Sequence, residues 1–322
     1  MNLAIVGATG NVGREFIKVI EQRGFKYDDL RLFSSARSAG SCVVVNGKEF
    51  IVEELTEGAA DGIDIALFSA GGDISKTFAP IFAEKGALVI DNSSAWRMDP
   101  AVPLVVPEVN PQDAKLHKGI IANPNCSTIQ SVVALKPLQD AFGIKRVVFS
   151  TYQAVSGAGM AGITDLEQGL LGKPPANFKH PIAGNLIPQI DVFTDNGYTK
   201  EEMKMVLETR KIMGLPNLRV TATTVRVPVL NSHSVSMNVE LESAFDMADV
   251  FKVLREGAGL VVQDDPASRL YPMPLNASGT DEVFVGRIRR DESVEFGLNL
   301  WCVADNIRKG AALNTVQIAE LI

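Results

Sequence analysis

The stretch MNLAIVGATGNVGREFIKVI, residues 1–20, decides the fold of everything that follows it. Residues 2–6 are a short apolar run ending in glycine, the pattern of a strand buried on both faces of a parallel sheet. From residue 12 to 23 the apolar side chains fall at helical spacing, with Val12, Phe16, Val19 and Ile20 on one face. Between strand and helix lies Gly7-x-x-Gly10-x-x-Gly13, with Thr9, Asn11 and Val12 in the turn. Small residues there let backbone amides approach a pyrophosphate, and the helix N-terminus adds partial positive charge. The spacing is a variant of the usual dinucleotide fingerprint. A purely structural turn is the alternative; the position at the head of a βαβ pattern favours the cofactor. Gly7, Thr9, Gly10, Asn11, Val12 and Gly13 are the candidate cofactor contacts.

The pattern continues outward. Further strands are expected at 30–33, 63–69, 87–91, 104–106 and 120–123, with a helix at 75–85 and a hairpin of 43–45 with 50–52 around Asn46-Gly47. Strands alternating with helices imply a Rossmann-like, doubly wound parallel sheet. From Lys145 the texture changes. Residues 146–153, 219–228, 233–241 and 293–303 read as longer strands with polar alternation, and 247–257 as a helix. They predict an α+β domain with a mixed, largely antiparallel sheet covered by helices on one face. The division expected is 1–126 for cofactor binding, with a helix in 305–322 packing back on it, and 127–304 for catalysis and dimerisation. The run GLLGKPPANFKHPIAGN is expected to be a long irregular loop.

The second strand ends in FSSARSAG. An NAD enzyme usually places a carboxylate there for the ribose 2′-hydroxyl; Ser34, Ser35, Arg37 and Ser38 offer hydroxyls and a guanidinium instead, which suits the 2′-phosphate of NADP. Net charge is −7 with no basic stripe, which argues against a nucleic-acid surface. No secretory signal and no membrane span are expected, and the odd, scattered Cys42, Cys126 and Cys302 suit a reducing, cytoplasmic setting. His117, His180 and His233 are isolated, so no metal site is expected.

Cys126 stands in ANPNCSTIQ, after a proline-directed turn and ahead of a helical run that Pro137 breaks or kinks. A thiolate at a helix N-terminus is stabilised, and the same amides can hold an oxyanion. A buried, inert thiol fits the local residues equally well. Of the histidines, His233 in RVPVLNSHS is the best proton-transfer partner, with a surface histidine as the plain alternative. Glu201 and Lys204 sit at i and i+3 on an expected helix and can face one pocket; a surface ion pair is the plain alternative.

Taken in order, GATGNVG, SSARSAG, DNSSAWRMD, NPNCSTIQ, TYQAVSGAG, EEMKM, RVPVLNSHS and NIRKGAA resemble the bacterial type of the aspartate-semialdehyde dehydrogenase family over nearly the whole chain. The resemblance implies reversible, NADP-dependent reductive dephosphorylation of L-4-aspartyl phosphate to L-aspartate 4-semialdehyde and phosphate, through a cysteine acyl-thioester. It implies a homodimer in the route to lysine, through diaminopimelate, and to methionine, threonine and isoleucine. By motif, Cys126 would be the nucleophile, His233 the general acid/base and Gln153 the residue orienting substrate. Arg97 and Lys204 would bind phosphate, Glu201 would contact the substrate amino group, directly or through its hydrogen-bond network, and Arg226 would grip the α-carboxylate. Ser156 and Gly157 would lie against the cofactor and Asn306 near its nicotinamide. One departure stands out: a glycine often precedes this histidine, and here the residue is Ser232. Two rivals remain: an N-acetyl-glutamyl-phosphate reductase, which shares the plan, and a non-catalytic NADP-binding sensor. A phosphorylating glyceraldehyde-3-phosphate dehydrogenase lacks support, because its Ser-Cys-Thr-Thr-Asn-Cys context is absent.

Overall fold

The computed structural model describes all residues, 1–322, in two compact units: 1–125 with 311–322, and 126–310. Cys126 therefore opens the second unit rather than closing the first, and 305–310 stay with the second unit.

The first unit is a seven-stranded sheet. Its strands are β1 (Asn2–Val6), β2 (Asp29–Ser34), β3 (Cys42–Val45), β4 (Lys48–Glu54), β5 (Ile65–Phe68), β6 (Leu88–Asp91) and β7 (Ile120–Ala122), in the order β3-β4-β2-β1-β5-β6-β7. All pairs are parallel except the β3–β4 hairpin, whose turn residues Asn46 and Gly47 have φ of 49° and 76°. Both turn residues therefore lie in the left-handed region that a two-residue hairpin demands. Residues 104–106 do not form a strand: Leu104 makes only an isolated bridge to Ala122.

Helix α1 (Asn11–Arg23) buries Phe16, Val19 and Ile20 as its periodicity requires, and ends at Gly24 with φ 60°. The Gly24 and Phe25 amides bond back to Glu21 and Ile20, which satisfies the last carbonyls of the helix. Helix α2 (Gly72–Glu84) lies between β5 and β6 in sequence. The C-terminal helix (Leu313–Ala319) adds Leu313, Val316 and Ile318 to the same apolar core as α1, and Arg23 forms an ion pair with Glu320.

Two glycines of the first turn are required by close approach. Gly7 has φ +88°, and a Cβ there would lie 2.5 Å from the Ser69 carbonyl oxygen. A Cβ on Gly13 would lie 2.1 Å from the Gly7 carbonyl oxygen, so α1 can start against the turn only with glycine at that position.

The second unit is built on α3 (Cys126–Phe142), β8 (Ile144–Gln153), α4 (Gly159–Leu170), α5 (Lys200–Ile212), β9 (Arg219–Arg226), β10 (His233–Leu241), α6 (Met247–Glu256), β11 (Leu260–Val262), β12 (Val283–Asp291) and β13 (Gly297–Ala304). The sheet order is β11-β12-β13-β10-β8-β9. It is mixed: β8–β9 and β11–β12 are parallel, the other pairs antiparallel. Helix α3 packs on this sheet with α5 and α6 beside it, and it runs through Pro137 without breaking. Strand β13 starts at Gly297, later than the expected 293, and β12 is a strand that the polar run RIRRD obscured. Residues 171–199 carry no regular element, and the Asp165 carboxylate organises part of them by accepting from the amides of Ala176, Asn177 and Phe178.

Candidate active site

The topology of the second sheet gathers residues that are far apart in sequence. Strands β8 and β9 are parallel and pair Gln153 with Arg226, so both strands deliver their last residue to the same edge. Strand β10 is antiparallel to β8, with Ser234 opposite Tyr152, so its first residue, His233, arrives at that edge too. Strand β13 ends opposite His233, at Ala304, and leads directly into Asp305 and Asn306.

His233 is fully buried. Its Nδ1 accepts the Ala154 amide at 3.0 Å, while Nε2 has no hydrogen-bond partner. A ring nitrogen that faces an amide N–H must be the acceptor, so the neutral ring carries its proton on Nε2. Burial, and then the nearby Arg226 charge, push the His233 pKa well below its usual value of 6.5. The site holds this histidine neutral.

Arg226 and His233, seven apart with a turn between them, do converge. A Cβ on Gly157 would lie 2.8 Å from Arg226 Nη1 and 3.2 Å from His233 Nε2, so this backbone passes close to both groups and a side chain there would displace them. Arg226 Nη1 donates to the Ala154 carbonyl at 2.7 Å. Burial works against the Arg226 charge, and Glu201 and Cys126 oppose that effect.

Cys126 is the first residue of α3 and half-buried, and all three cysteines are thiols. Cys302 is buried and its pKa is raised by desolvation; Cys42 is exposed. Gln130, one helical turn after Cys126, donates to the His233 carbonyl at 3.3 Å and ties the cysteine helix to the histidine strand. Its i+4 spacing from Cys126 was the available sequence signal.

Gln153 Nε2 donates to Glu201 Oε1 at 3.2 Å, and Lys204 Nζ bonds Glu201 Oε2 at 3.1 Å and Asp191 Oδ2 at 2.9 Å. Burial depresses the Lys204 pKa, but Glu201 and Asp191 outweigh it and the net shift is upward. Helix α5 opens with a capping box, Thr199 with Glu202, which fixes the first turn carrying Glu201. The Thr-x-x-Glu spacing shows this box in the sequence. Asp191 left no such mark, because it sits in the irregular segment at φ 68°.

Asn306 Nδ2 donates to Ser156 Oγ at 3.0 Å, and Asn306 Oδ1 accepts the Ser232 amide at 2.9 Å. Ser232 has φ 71°, which is the physical reason a glycine suits the position before the histidine. Its strain, about 1–3 kcal/mol for such conformations, is opposed by that amide bond and by an Oγ contact to Ser278 at 2.9 Å.

In the first unit, a cavity of about 400 Å³ is lined by Gly7, Thr9, Gly10, Ser34, Ser35, Arg37 and Ser38, with Glu54, Ser69 and Phe78 among the others. Thr9 and Ser34 hydroxyls meet at 2.9 Å. Asn11, Val12 and Gly13 do not line it; Gly13 acts instead through its packing on Gly7. Glu54 is a carboxylate that reading the second strand alone missed, since it comes from β4, paired opposite Ser34. Arg97 also belongs to the first unit, where it is buried and donates to the carbonyls of Asn92 at 2.8 Å and Asn123 at 2.9 Å.

Residues 2–117 match the family model of the semialdehyde dehydrogenase NAD binding domain, and residues 135–309 that of the semialdehyde dehydrogenase dimerisation domain. The fold and these two matches define the class: a semialdehyde dehydrogenase, an oxidoreductase. The aspartate-semialdehyde dehydrogenase of Aquifex aeolicus is 58% identical over 330 residues, covering 99% of this chain and 97% of that protein. The crystal structure of aspartate semialdehyde dehydrogenase II from Vibrio cholerae, complexed with ASA, superposes with a TM-score of 0.96 at 49% identity over 99% of this chain and 97% of that one. The Candida albicans enzyme, solved with NADP, gives a TM-score of 0.77 at 26% identity over 99% and 97% of the two chains. The chain belongs to the aspartate-semialdehyde dehydrogenase family, enzymes of amino-acid biosynthesis. That decides between the two acyl-phosphate reductases and against a non-catalytic sensor. No helix is long and apolar enough to cross a membrane.

Proposed function

We propose that the chain carries out this family's activity as a reversible, NADP-dependent reductive dephosphorylation of L-4-aspartyl phosphate, with Cys126 as nucleophile. The observation that carries the reading is the gathering of Cys126, Arg226 and His233 within one unit: a helix-terminal thiol, a buried cation and a neutral Nε2–H donor. The Cys126 thiolate adds to the acyl carbon, the carbon–oxygen bond to phosphate breaks, and phosphate leaves with the electron pair. An acyl-thioester on Cys126 remains. Bound NADPH supplies the hydride that this thioester accepts. His233 Nε2–H donates to the substrate oxygen as it gains negative charge, a task suited to a neutral, desolvated ring. In this reading His233, expected from its motif as general acid/base, acts through the Nε2–H left by the Ala154 amide on Nδ1. Breaking the carbon–sulfur bond releases the aldehyde and restores the thiolate.

Arg226 grips the α-carboxylate with the donors not committed to Ala154. Glu201 meets the substrate amino group, held in place by Gln153 and Lys204. Lys204 and, by motif, Arg97 supply positive charge for phosphate. Gly7, Thr9 and Gly10 leave room for the cofactor pyrophosphate, and Ser34, Ser35, Arg37 and Ser38 hold the 2′-phosphate. Ser156, Gly157 and Asn306 are assigned to the cofactor by motif alone.

The test is NADPH formation from aspartate semialdehyde, phosphate and NADP, with N-acetyl-glutamate semialdehyde in parallel. Phosphate-dependent turnover of the aspartate compound is expected; turnover of the acetylated compound alone would overturn the substrate. In the same assay, Arg37→Ala is expected to raise KM for NADP roughly tenfold, the scale of one lost charge-assisted hydrogen bond, and to leave KM for NAD unchanged.

The second sheet carries a polar and aromatic patch. Tyr152 and Trp301 lie against each other with ring centroids 5.4 Å apart and planes tilted by 49°, and a cavity of about 360 Å³ is lined there by Ser236, Tyr271, Trp301, Arg287 and Arg289. This patch, within the dimerisation domain, is where we place a second copy of the chain. Sedimentation is expected to give a dimer, and Trp301→Glu a monomer.

A further inference from the structure

Behind the Cys126 thiol lies a wall that the reaction scheme does not use. The chain leaves β13 at Ala304 and enters a π-turn, Arg308–Ala312, in which the Gly310 amide donates to the Asp305 carbonyl, five residues back, at 2.9 Å. The Asp305 side chain fixes this turn. Its Oδ1 accepts the amides of Ile307 and Arg308, and its Oδ2 accepts Asn231 Nδ2 and the Gly279 amide, all at 2.7–2.9 Å. π-turns inside helical segments recur at functional sites because the extra residue re-aims the backbone. Here the extra residue brings Gly310 against the nucleophile. A Cβ on Gly310 would lie 2.8 Å from Cys126 Cβ and 3.3 Å from Cys126 Cα.

Gly310 has no positive φ, so its backbone does not call for glycine. In a helical turn alanine outperforms glycine, because glycine loses more conformational freedom on ordering. The space at Cys126 is therefore the feature that calls for glycine here. The same turn also carries Asn306, whose Oδ1 holds the Ser232 amide immediately before His233. One tethered turn thus backs both the cysteine and the histidine.

We propose that Gly310 is a positioning residue for Cys126: the absence of a side chain lets α3 begin flush against the π-turn and confines the thiol to the side facing Arg226 and His233. This rests on Cys126 being the nucleophile, and the experiment separates the two ideas. Gly310→Ala is made in the wild type and in a Cys126→Gly background, which removes the atom 2.8 Å away. Three quantities are read: the iodoacetamide alkylation rate of Cys126, followed by peptide mass spectrometry; kcat and KM for NADP; and Tm. In the Cys126 background, alkylation and kcat are expected to fall at least tenfold while KM for NADP stays within twofold, and Tm falls. In the Cys126→Gly background the same substitution leaves Tm unchanged or raises it. Gly310→Ala that fails to fold alone but folds with Cys126→Gly also supports the proposal. Wild-type alkylation rates, or an equal loss of Tm or of folding in both backgrounds, would overturn it. The nucleophile reading is tested independently, by whether Cys126→Ser keeps its turnover.

Discussion

Cys126→Ser is expected to lower phosphate-dependent NADPH formation by at least about 10³-fold, roughly 4 kcal/mol of transition-state stabilisation, while leaving NADP binding intact. The hydroxyl is nearly isosteric with the thiol, so packing against Gly310 is kept. What changes is the chemistry. A serine hydroxyl stays protonated where a thiol at a helix N-terminus ionises, and an oxygen ester is a poorer hydride acceptor than a thioester. Because cavity-lining residues such as Gly10 and Arg37 belong to the other unit, the dissociation constant for NADP should be within twofold of wild type. Turnover within tenfold of wild type would remove Cys126 from the mechanism. An inactive variant that also loses NADP binding would show the loss to be structural.

His233→Asn carries the second large effect and a pH signature of its own. An Asn side chain can place an oxygen where Nδ1 accepts the Ala154 amide, so that buried donor stays satisfied while the Nε2–H is removed. The expected fall in kcat is about 10²–10⁴-fold, the range for a positioned donor at a developing charge. The linkage has a definite sign. The folded-state pKa of His233 lies well below 6.5, so the folded ring stays neutral at pH values where the unfolded ring is protonated. Below about pH 6.5 the unfolded state binds more protons, and stability therefore falls as pH falls, down to the folded-state pKa. Asparagine does not titrate, so the variant should lose less stability than the wild type between neutral and acidic pH. Chemical denaturation at several pH values reads this directly. A variant that tracks the wild type in parallel would mean that His233 binds protons alike in the folded and unfolded chain, which would overturn the neutral, desolvated ring.

The sequence alone determined those features that depend on local spacing. The alternation of apolar runs and helical periodicity settled the parallel sheet of the first unit, because strand burial and helix amphipathicity act over a few neighbouring residues. The glycine turn and the Ser34–Ser38 segment were legible for the same reason: a close backbone approach leaves its glycines, and one cavity wall its hydroxyls and guanidinium, in one short stretch. The order of the motifs along the chain marked the family. Tertiary structure alone decided the convergence of Arg226 with His233, the neutral Nε2–H state of that ring, and the pairing of Lys204 with Asp191. Each depends on which strand ends share a sheet edge, and strand order leaves no trace in spacing. The place of Glu54 in the cavity lining was hidden likewise, since it comes from β4, which pairs with β2. Gly310 is the sharpest case: in sequence it is an unremarked glycine in a helical stretch, and only the π-turn that sets it against Cys126 gives its missing side chain a purpose.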